Sequence, residues 1–517
     1  MKKYIIYILL ILTVSLPLGS CKKFLEESSQ DELRPTTTDD LASLLYSDAY
    51  PYGLITDTYT DLLTDDIQNN GVQQLNGVPN PTYLPFSNYG TPVFAWSPYM
   101  FDNTSGTAGA NLSDLSGVNS WSIYYTKIKG CNVVLDYINT VSGTDQVKNA
   151  ITGQALFLRA FYYLKLVTLY GQPYSGTGID PAKSLGVPLI LTSKVSDVYP
   201  ARNTLAEVYK QIETDLLTAV DLLKNNYTAP SVFRVSHVAA YTLLSRLYLY
   251  MGRDQDMDNV ILYANNALAI KPSLTQLSTY FTSATALSTV GIYDQFLSQE
   301  VIWSYGVNQN LSATNYFYPA TNAPLSLIPP FSVSASLLGI YNQGTGTTNM
   351  GDLRFTTYFT KYPNYGYSSR TGKIGTQAYG AQGMRVAELY LNRAEAYTRR
   401  YMKTASAGDL TQALADLNYL RLNRYDTRNA AYVRVSFTDA TLLFKFLQDE
   451  RRRELCLEEN FRWVDIKRWG LAITHNYTDP FGTATTYTLN AGNNLIYALP
   501  IPYDVVARNY NLQQNPR

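Results

Sequence analysis

The chain has 517 residues, 41 Lys+Arg against 41 Asp+Glu and only 16% charged residues, so it presents no electrostatic footprint for nucleic acid. Two histidines and three cysteines supply neither a metal cluster nor a histidine-based triad, and no P-loop, dinucleotide or Gly-x-Ser-x-Gly fingerprint occurs. No metal or cofactor is expected. Tyrosine is the abundant aromatic instead, with 45 residues against 18 Phe and 5 Trp.

Lys2 and Lys3 precede an apolar run from Tyr4 to Leu18 that ends in Leu18-Gly19-Ser20-Cys21. A basic start, a short hydrophobic stretch and small residues describe an export signal, and the run is too short for a membrane span. Cys directly after Leu-Gly-Ser matches the bacterial lipoprotein box, so residues 1–20 are expected to be removed and Cys21 lipidated. Without Lys2 and Lys3, 39 basic residues face 41 acidic ones, a formal −2. Residues 21–35 read as a tether and 36–517 as one domain. Cys131 and Cys456 lie on apolar helix faces and read as small buried thiols.

From about 50 to 118 the chain lacks helical periodicity but is rich in rings, including Phe94, Trp96, Tyr99 and Phe101, with Asp102 and Asn103 interleaved. Helical 3/4 spacing then predicts helices over 119–140, 147–170, 204–224, 235–251 and 258–270. A second aperiodic region, about 271–382, carries Trp303, Tyr305, Asn315, Tyr316 and Tyr318. Helices return over 383–402, 407–423 and 439–458. Ala155, Ala160, Ala239, Ala240, Ala394 and Ala396 would let paired helices approach closely. The fold predicted is mostly α, with tetratricopeptide-like hairpins forming a superhelical scaffold, long irregular loop regions and little β. Such a scaffold typically carries its binding chemistry on loops.

Residues 450–470 hold eleven charged side chains in a chain otherwise sparing with charge. Leu443, Phe446, Leu447, Leu457 and Phe461 form one helical stripe, and Glu450 and Glu454 interrupt it. Carboxylates on a core-facing stripe must be paired. The arginines around them, among them Arg453, Arg462 and Arg468, together with Asp465, would form an ion-pair network; an anion site is the functional alternative.

The same block resembles the C-terminal signature of the SusD/RagB family of surface nutrient-binding lipoproteins. The resemblance rests on Glu450 to Leu455, on Arg462-Trp463-Val464-Asp465-Ile466-Lys467-Arg468-Trp469-Gly470, on Leu499-Pro500-Ile501-Pro502 and on the tail from Asn509 to Pro516. It departs at Glu459-Asn460, where members often have Glu-Gly; Asn tolerates left-handed backbone next best after Gly. Leu62 to Ile67 resembles the family's short acidic segment, whose carboxylates bind a cation or sugar hydroxyls, cap a helix or lie solvated.

The resemblance implies a non-catalytic protein anchored by lipid to the outer membrane, facing outward. It would capture oligosaccharide or polysaccharide and pass it to a SusC-like TonB-dependent transporter. The expected ligand contacts are the rings of Trp96, Tyr99, Tyr316 and Tyr318 and the edge groups of Asp66, Asn103 and Asn315, because a pyranose offers C–H groups to a flat ring and hydroxyls to its rim. Two competitors share the chemistry available: peptide capture on the same scaffold, as in the RagB branch, and a surface glycosidase built on paired carboxylates.

Overall fold

Most helices begin where the sequence supplies a cap. The computed structural model describes residues 34–517 apart from 54–56, 73, 82–83, 103–119, 284, 286, 289, 308–328, 347, 363–365 and 370. Helix α1 (Thr38–Leu44) opens on a capping box between Thr37 and Asp40. Helices α2 (Leu84–Phe94) and α3 (Ser120–Tyr137) follow. Thr144 caps α4 (Asp145–Tyr170), a Thr204–Glu207 capping box starts α5 (Leu205–Asn226), and Ser236 caps α6 (His237–Met251), with α7 (Met257–Leu268) behind it. The C-terminal half adds α8 (Val386–Thr404), α9 (Ala407–Leu422) capped by Ser406, α10 (Ala440–Leu455) capped by Asp439, and α11 (Phe461–Trp469). Each cap satisfies an otherwise orphaned amide, for about 1 kcal/mol.

Successive helices from α3 to α9 pack on their neighbours in chain order, and α10 returns to pack on α8. This is the tetratricopeptide-like stack that the periodicity and alanine content predict. Helix α4 is its centre: every residue from Gly153 to Tyr170 is buried. Its long polar side chains are each answered, Gln154 by the Tyr50 hydroxyl, Arg159 by Asp215 and Lys165 by Glu459, as burial of such groups requires. At Gly153 even a Cβ would stand 2.9 Å from the Leu223 side chain, so α4 and α5 are in close contact there.

The two aperiodic regions are less loop-like than expected. They meet each other through antiparallel strands β1 (Ile67–Asn69) and Phe331–Val333, with Ile67 opposite Val333. Between those, β2 (Val301–Val307) precedes Phe331–Val333, which is β3, and β2 pairs with β4 (Tyr379–Arg385). Both long strands are almost wholly buried. Trp303 is fully buried and Tyr305 nearly so, so these two rings belong to the core. Helix α2 escaped the periodicity because it contains Gly90 and Pro92. Gly90 is required there, since a Cβ would lie 2.5 Å from the Phe331 ring. Towards its C-terminus the chain forms the hairpin β5 (Ile473–Thr478) and β6 (Ala484–Leu489), and His475 lies on β5.

Candidate functional site

Tyr46 lies on the π-helical turn Leu45–Ala49 that extends α1, and Tyr50 and Tyr52 follow as the chain leaves it. Tyr50 and Tyr52 stack with centroids 5.4 Å apart and planes 12° from parallel, while Tyr46 meets Tyr50 edge-on at 5.6 Å. Tyr50 is anchored to the core: its hydroxyl donates to Gln154 Oε1 of α4 at 2.7 Å and accepts from the Val235 amide at 3.2 Å. Arg234, just ahead of α6, lays its guanidinium over all three rings, at 4.0 Å from the centroid of Tyr46, 5.2 Å from Tyr50 and 5.0 Å from Tyr52. Aromatic quadrupoles favour a cation in that position.

Beside this stack opens a cleft of about 770 Å³, lined by Tyr52, Phe233, Arg234, Gln295, Tyr305, Gly306, Gln377 and Tyr379, among others. That size is ordinary for a small-ligand site. Tyr379 is 59% exposed and forms rim, whereas Tyr305, 4% exposed, forms floor. The Tyr305 hydroxyl donates to Glu459 Oε1 at 2.5 Å, and Glu459 is held by Lys165 at 2.9 Å. Burial raises the Tyr305 pKa well above the usual phenol value, so it stays a donor. Gln377 spends its amide on the Tyr293 and Gly380 carbonyls, both at 3.0 Å. Among the described residues, no histidine, cysteine or carboxylate lines the cleft, and the groups it offers are aromatic rings, amides, hydroxyls and one cation.

The charged block 450–470 makes a different kind of site. Glu454 receives Arg385 at 2.8 Å, Arg424 at 2.9 Å, Arg354 at 3.0 Å and the Tyr358 hydroxyl at 2.8 Å. Glu450 receives Arg354 at 2.7 Å, Arg421 at 2.6 Å and Arg453 at 2.8 Å. Glu458 holds Lys373 at 2.6 Å and Arg385 at 2.7 Å. Burial alone would raise the Glu454 pKa, but Arg424, Arg385 and Arg354 outweigh it and hold the carboxyl well below its ordinary value. Further along, Arg451 pairs with Asp465 at 2.8 Å, and Arg468 reaches Asp465 at 2.8 Å and Glu395 at 2.6 Å. Every arginine named here already holds an acceptor, and Arg451 Nη2, which has no partner among the described residues, is sealed from solvent, so the block offers no open anion-binding position among the described residues.

Of the residues singled out as ligand contacts, two require correction. Asp66 is fully buried and accepts from Arg452 Nε at 2.7 Å, so it neither caps a helix nor meets solvent. Its neighbour Asp65 accepts from Arg462 at 2.7 Å; burial raises the Asp65 pKa, yet Arg452 and Arg462 bring it down to about 2. The acidic segment is thus a strap tied to α10 and α11. Trp96 is 8% exposed; its indole N–H donates to the Leu63 carbonyl at 3.0 Å and its ring stacks on His475 at 4.2 Å. With both its face and its donor occupied by protein, Trp96 is a core residue. It also borders a smaller hollow of about 400 Å³. Tyr99 is 48% exposed beneath the Arg517 guanidinium, 5.1 Å from the ring centroid. Asn103, Asn315, Tyr316 and Tyr318 lie outside the described residues, as does Cys21.

Tyr52, Phe233, Arg234 and Tyr379 belong to no motif in the sequence, yet all four line this cleft. One signal was available: no acidic residue occurs between Asp221 and Asp254, so Arg234 has no sequence-local partner. Cys131 and Cys456 are buried and unpaired, with burial pushing their thiols up to about 12 and about 11. No group of three His, Cys, Asp or Glu among the described residues is arranged to hold a metal ion.

A tetratricopeptide-like stack with buried strand pairs inserted between its hairpins is an architecture shared with solved SusD superfamily proteins. One from Bacteroides thetaiotaomicron, 21% identical, superposes with a TM-score of 0.65 over 93% of this chain and 100% of that one. A SusD-like carbohydrate binding protein from Bacteroides vulgatus, also 21% identical, gives 0.60 over 92% and 97%. At such identities the likeness concerns the fold. Residues 23–249 match a SusD-like family described as starch-binding and associating with the outer membrane, and residues 276–517 match the SusD family itself. The chain belongs to the SusD family. It is 26% identical over 440 residues to SusD-like protein P2 of Formosa agariphila, covering 78% of this chain and 81% of that protein.

Proposed function

We propose that this chain is a non-catalytic surface protein that captures oligosaccharides in the cleft beside Arg234. The observation that carries the reading is the pairing, in one open cleft, of ring faces at Phe233 and Tyr379 with polar groups at Gln295, Arg234 and Ser231. Stacking supplies affinity and the edge groups supply orientation. The descriptions of the matched family and of the Bacteroides vulgatus neighbour point the same way. Asn103, Asn315, Tyr316 and Tyr318 are proposed as further contacts; Val307, at the end of β2 beyond the cleft residue Gly306, leads directly into the segment that holds the last three.

In this reading residues 1–20 are an export signal, Cys21 carries the lipid, 21–35 form the tether and 36–517 fold as one domain. No helix of the described residues is long and apolar enough to cross a membrane, and attachment to the outer membrane would fall to the lipid. Cargo then passes to a SusC-like TonB-dependent transporter. Titration calorimetry of the mature protein against oligosaccharide and peptide pools, with chromatography of the sugars afterwards, tests the proposal. Saturable binding of sugar without turnover supports it. Binding of peptides alone, or cleavage of the sugar, defeats it.

A further inference from the structure

We infer that the cleft selects acidic oligosaccharides, with Arg234 receiving the anionic group of a sugar, a uronate carboxylate or a sulfate ester; this rests on the binding function proposed above. Described arginines that are turned away from solvent end on acceptors: Arg159 on Asp215, Arg246 on Glu388, Arg393 on Asp416, Arg202 on backbone carbonyls, and those around Glu450 and Glu454 on carboxylates. Arg234 is half-buried too, yet its side chain makes no hydrogen bond and no ion pair among the described residues. Its three contacts are ring faces.

A guanidinium held over ring faces by its charge spends none of its five N–H groups on an oxygen acceptor. The tyrosine stack, pinned to α4 through Gln154, therefore orients this cation without consuming its donors. Those donors form a fork matched to two oxygens of a carboxylate or sulfate. Neutral hydroxyls, even as an adjacent pair, carry no charge and are weaker acceptors.

The surroundings agree in sign. Among the described residues lining the cleft Arg234 alone is charged, and the carboxylate beneath the floor, Glu459, is already paired with Lys165. The nearest acid in the adjoining segment, Asp294, turns its Oδ1 to the Phe296 and Leu297 amides at 2.9 and 2.8 Å. A concave wall carrying one sign of charge raises the local concentration of the opposite ion. The Tyr52 hydroxyl, buried beside Arg234 without a partner among the described residues, is a further donor at the same place.

The test uses the mature protein and three probes: oligogalacturonate, which carries only carboxylates, carrageenan oligosaccharides, which carry only sulfates, and neutral maltohexaose. Calorimetry is expected to show one acidic class binding at least about tenfold tighter than maltohexaose, the scale of one charge-assisted hydrogen bond. That affinity should fall as NaCl is raised on the unaltered protein. Arg234→Gln should erase the preference while the melting temperature holds, and Arg234→Lys should restore part of it. Maltohexaose binding as tightly as both acidic probes overturns the inference but leaves oligosaccharide capture standing. So does an acidic preference that survives Arg234→Gln or is indifferent to salt. Failure of all three probes to bind removes both proposals together.

Discussion

Two regions of the molecule set arginine against tyrosine and come to opposite ends. Around Glu454, Arg354, Arg385 and Arg424 are sealed from water and Tyr358 donates its hydroxyl to the same carboxylate. Around the cleft, Arg234 leans on Tyr46, Tyr50 and Tyr52 and pairs with no carboxylate among the described residues. A buried ion is tolerated only when it is fully paired, and pairing uses up its capacity to bind anything else. A half-exposed arginine supported by ring faces is spared that requirement. The same residue types thus make a fastening in one place and a receptor surface in the other, and the number of acceptors each guanidinium already has tells them apart.

The comparison can be broken most forcefully from the sealed side. Glu454→Ala would leave three guanidinium groups short of a partner and should cost about 3–5 kcal/mol in denaturant unfolding, or prevent folding altogether. A variant as stable as the parent would mean that the network is not a fastening. Trp96→Ala comes next: loss of a buried indole and its hydrogen bond to Leu63 should lower stability by about 3 kcal/mol, whereas a surface ring would lower only ligand affinity. Acidification probes the same network in the unaltered protein. Glu450 and Glu454 are held below the ordinary value of 4.5, so their stabilising contribution is complete above that pH and is lost as pH falls beneath it. The free energy of unfolding should fall below about pH 4.5, by about 1.4 kcal/mol per glutamate for each pH unit below it. Smallest in stability is Tyr379→Ala on the exposed rim, within about 0.5 kcal/mol, while oligosaccharide affinity should fall severalfold. Equal affinity there would show that the rim ring takes no part in capture.

The helical stack was legible because its signals are local. Thr204 with Glu207, or Ser236 ahead of an apolar helix, is readable within four residues, and eight helices predicted from periodicity begin and end close to the observed bounds. The need for partners at Glu450 and Glu454 was equally local. Which partners was not, since Arg354, Arg385 and Arg424 arrive from distant parts of the chain. The backbone at Glu459-Asn460 was half readable: Asn460 adopts φ 56°, the left-handed form asparagine accepts, but Glu459 at φ 51° gives no sign of it in sequence. The candidate site was the hardest part. Ring-rich composition drew attention to Trp96 and Trp303, yet apolar rings fill cores as readily as clefts. Only the long-range packing of α2 and β5 around Trp96 decides between those fates. Arg234 became conspicuous once its neighbours in space were known.

The hydrogen bond from Tyr305 to Glu459 gives the cleft a property its outline alone does not suggest. Glu459 also answers to Lys165 and, at 3.5 Å, to Arg246, so the floor is bolted to the same electrostatic framework that holds the last helices. Tilting that phenol to suit a visitor would unbalance a sealed charge. A guest must therefore conform to the floor rather than reshape it, and adaptation is left to the border formed by Tyr379 and its neighbours. Relatives that keep the bolt and vary the border could exchange one sugar for another without remaking the interior.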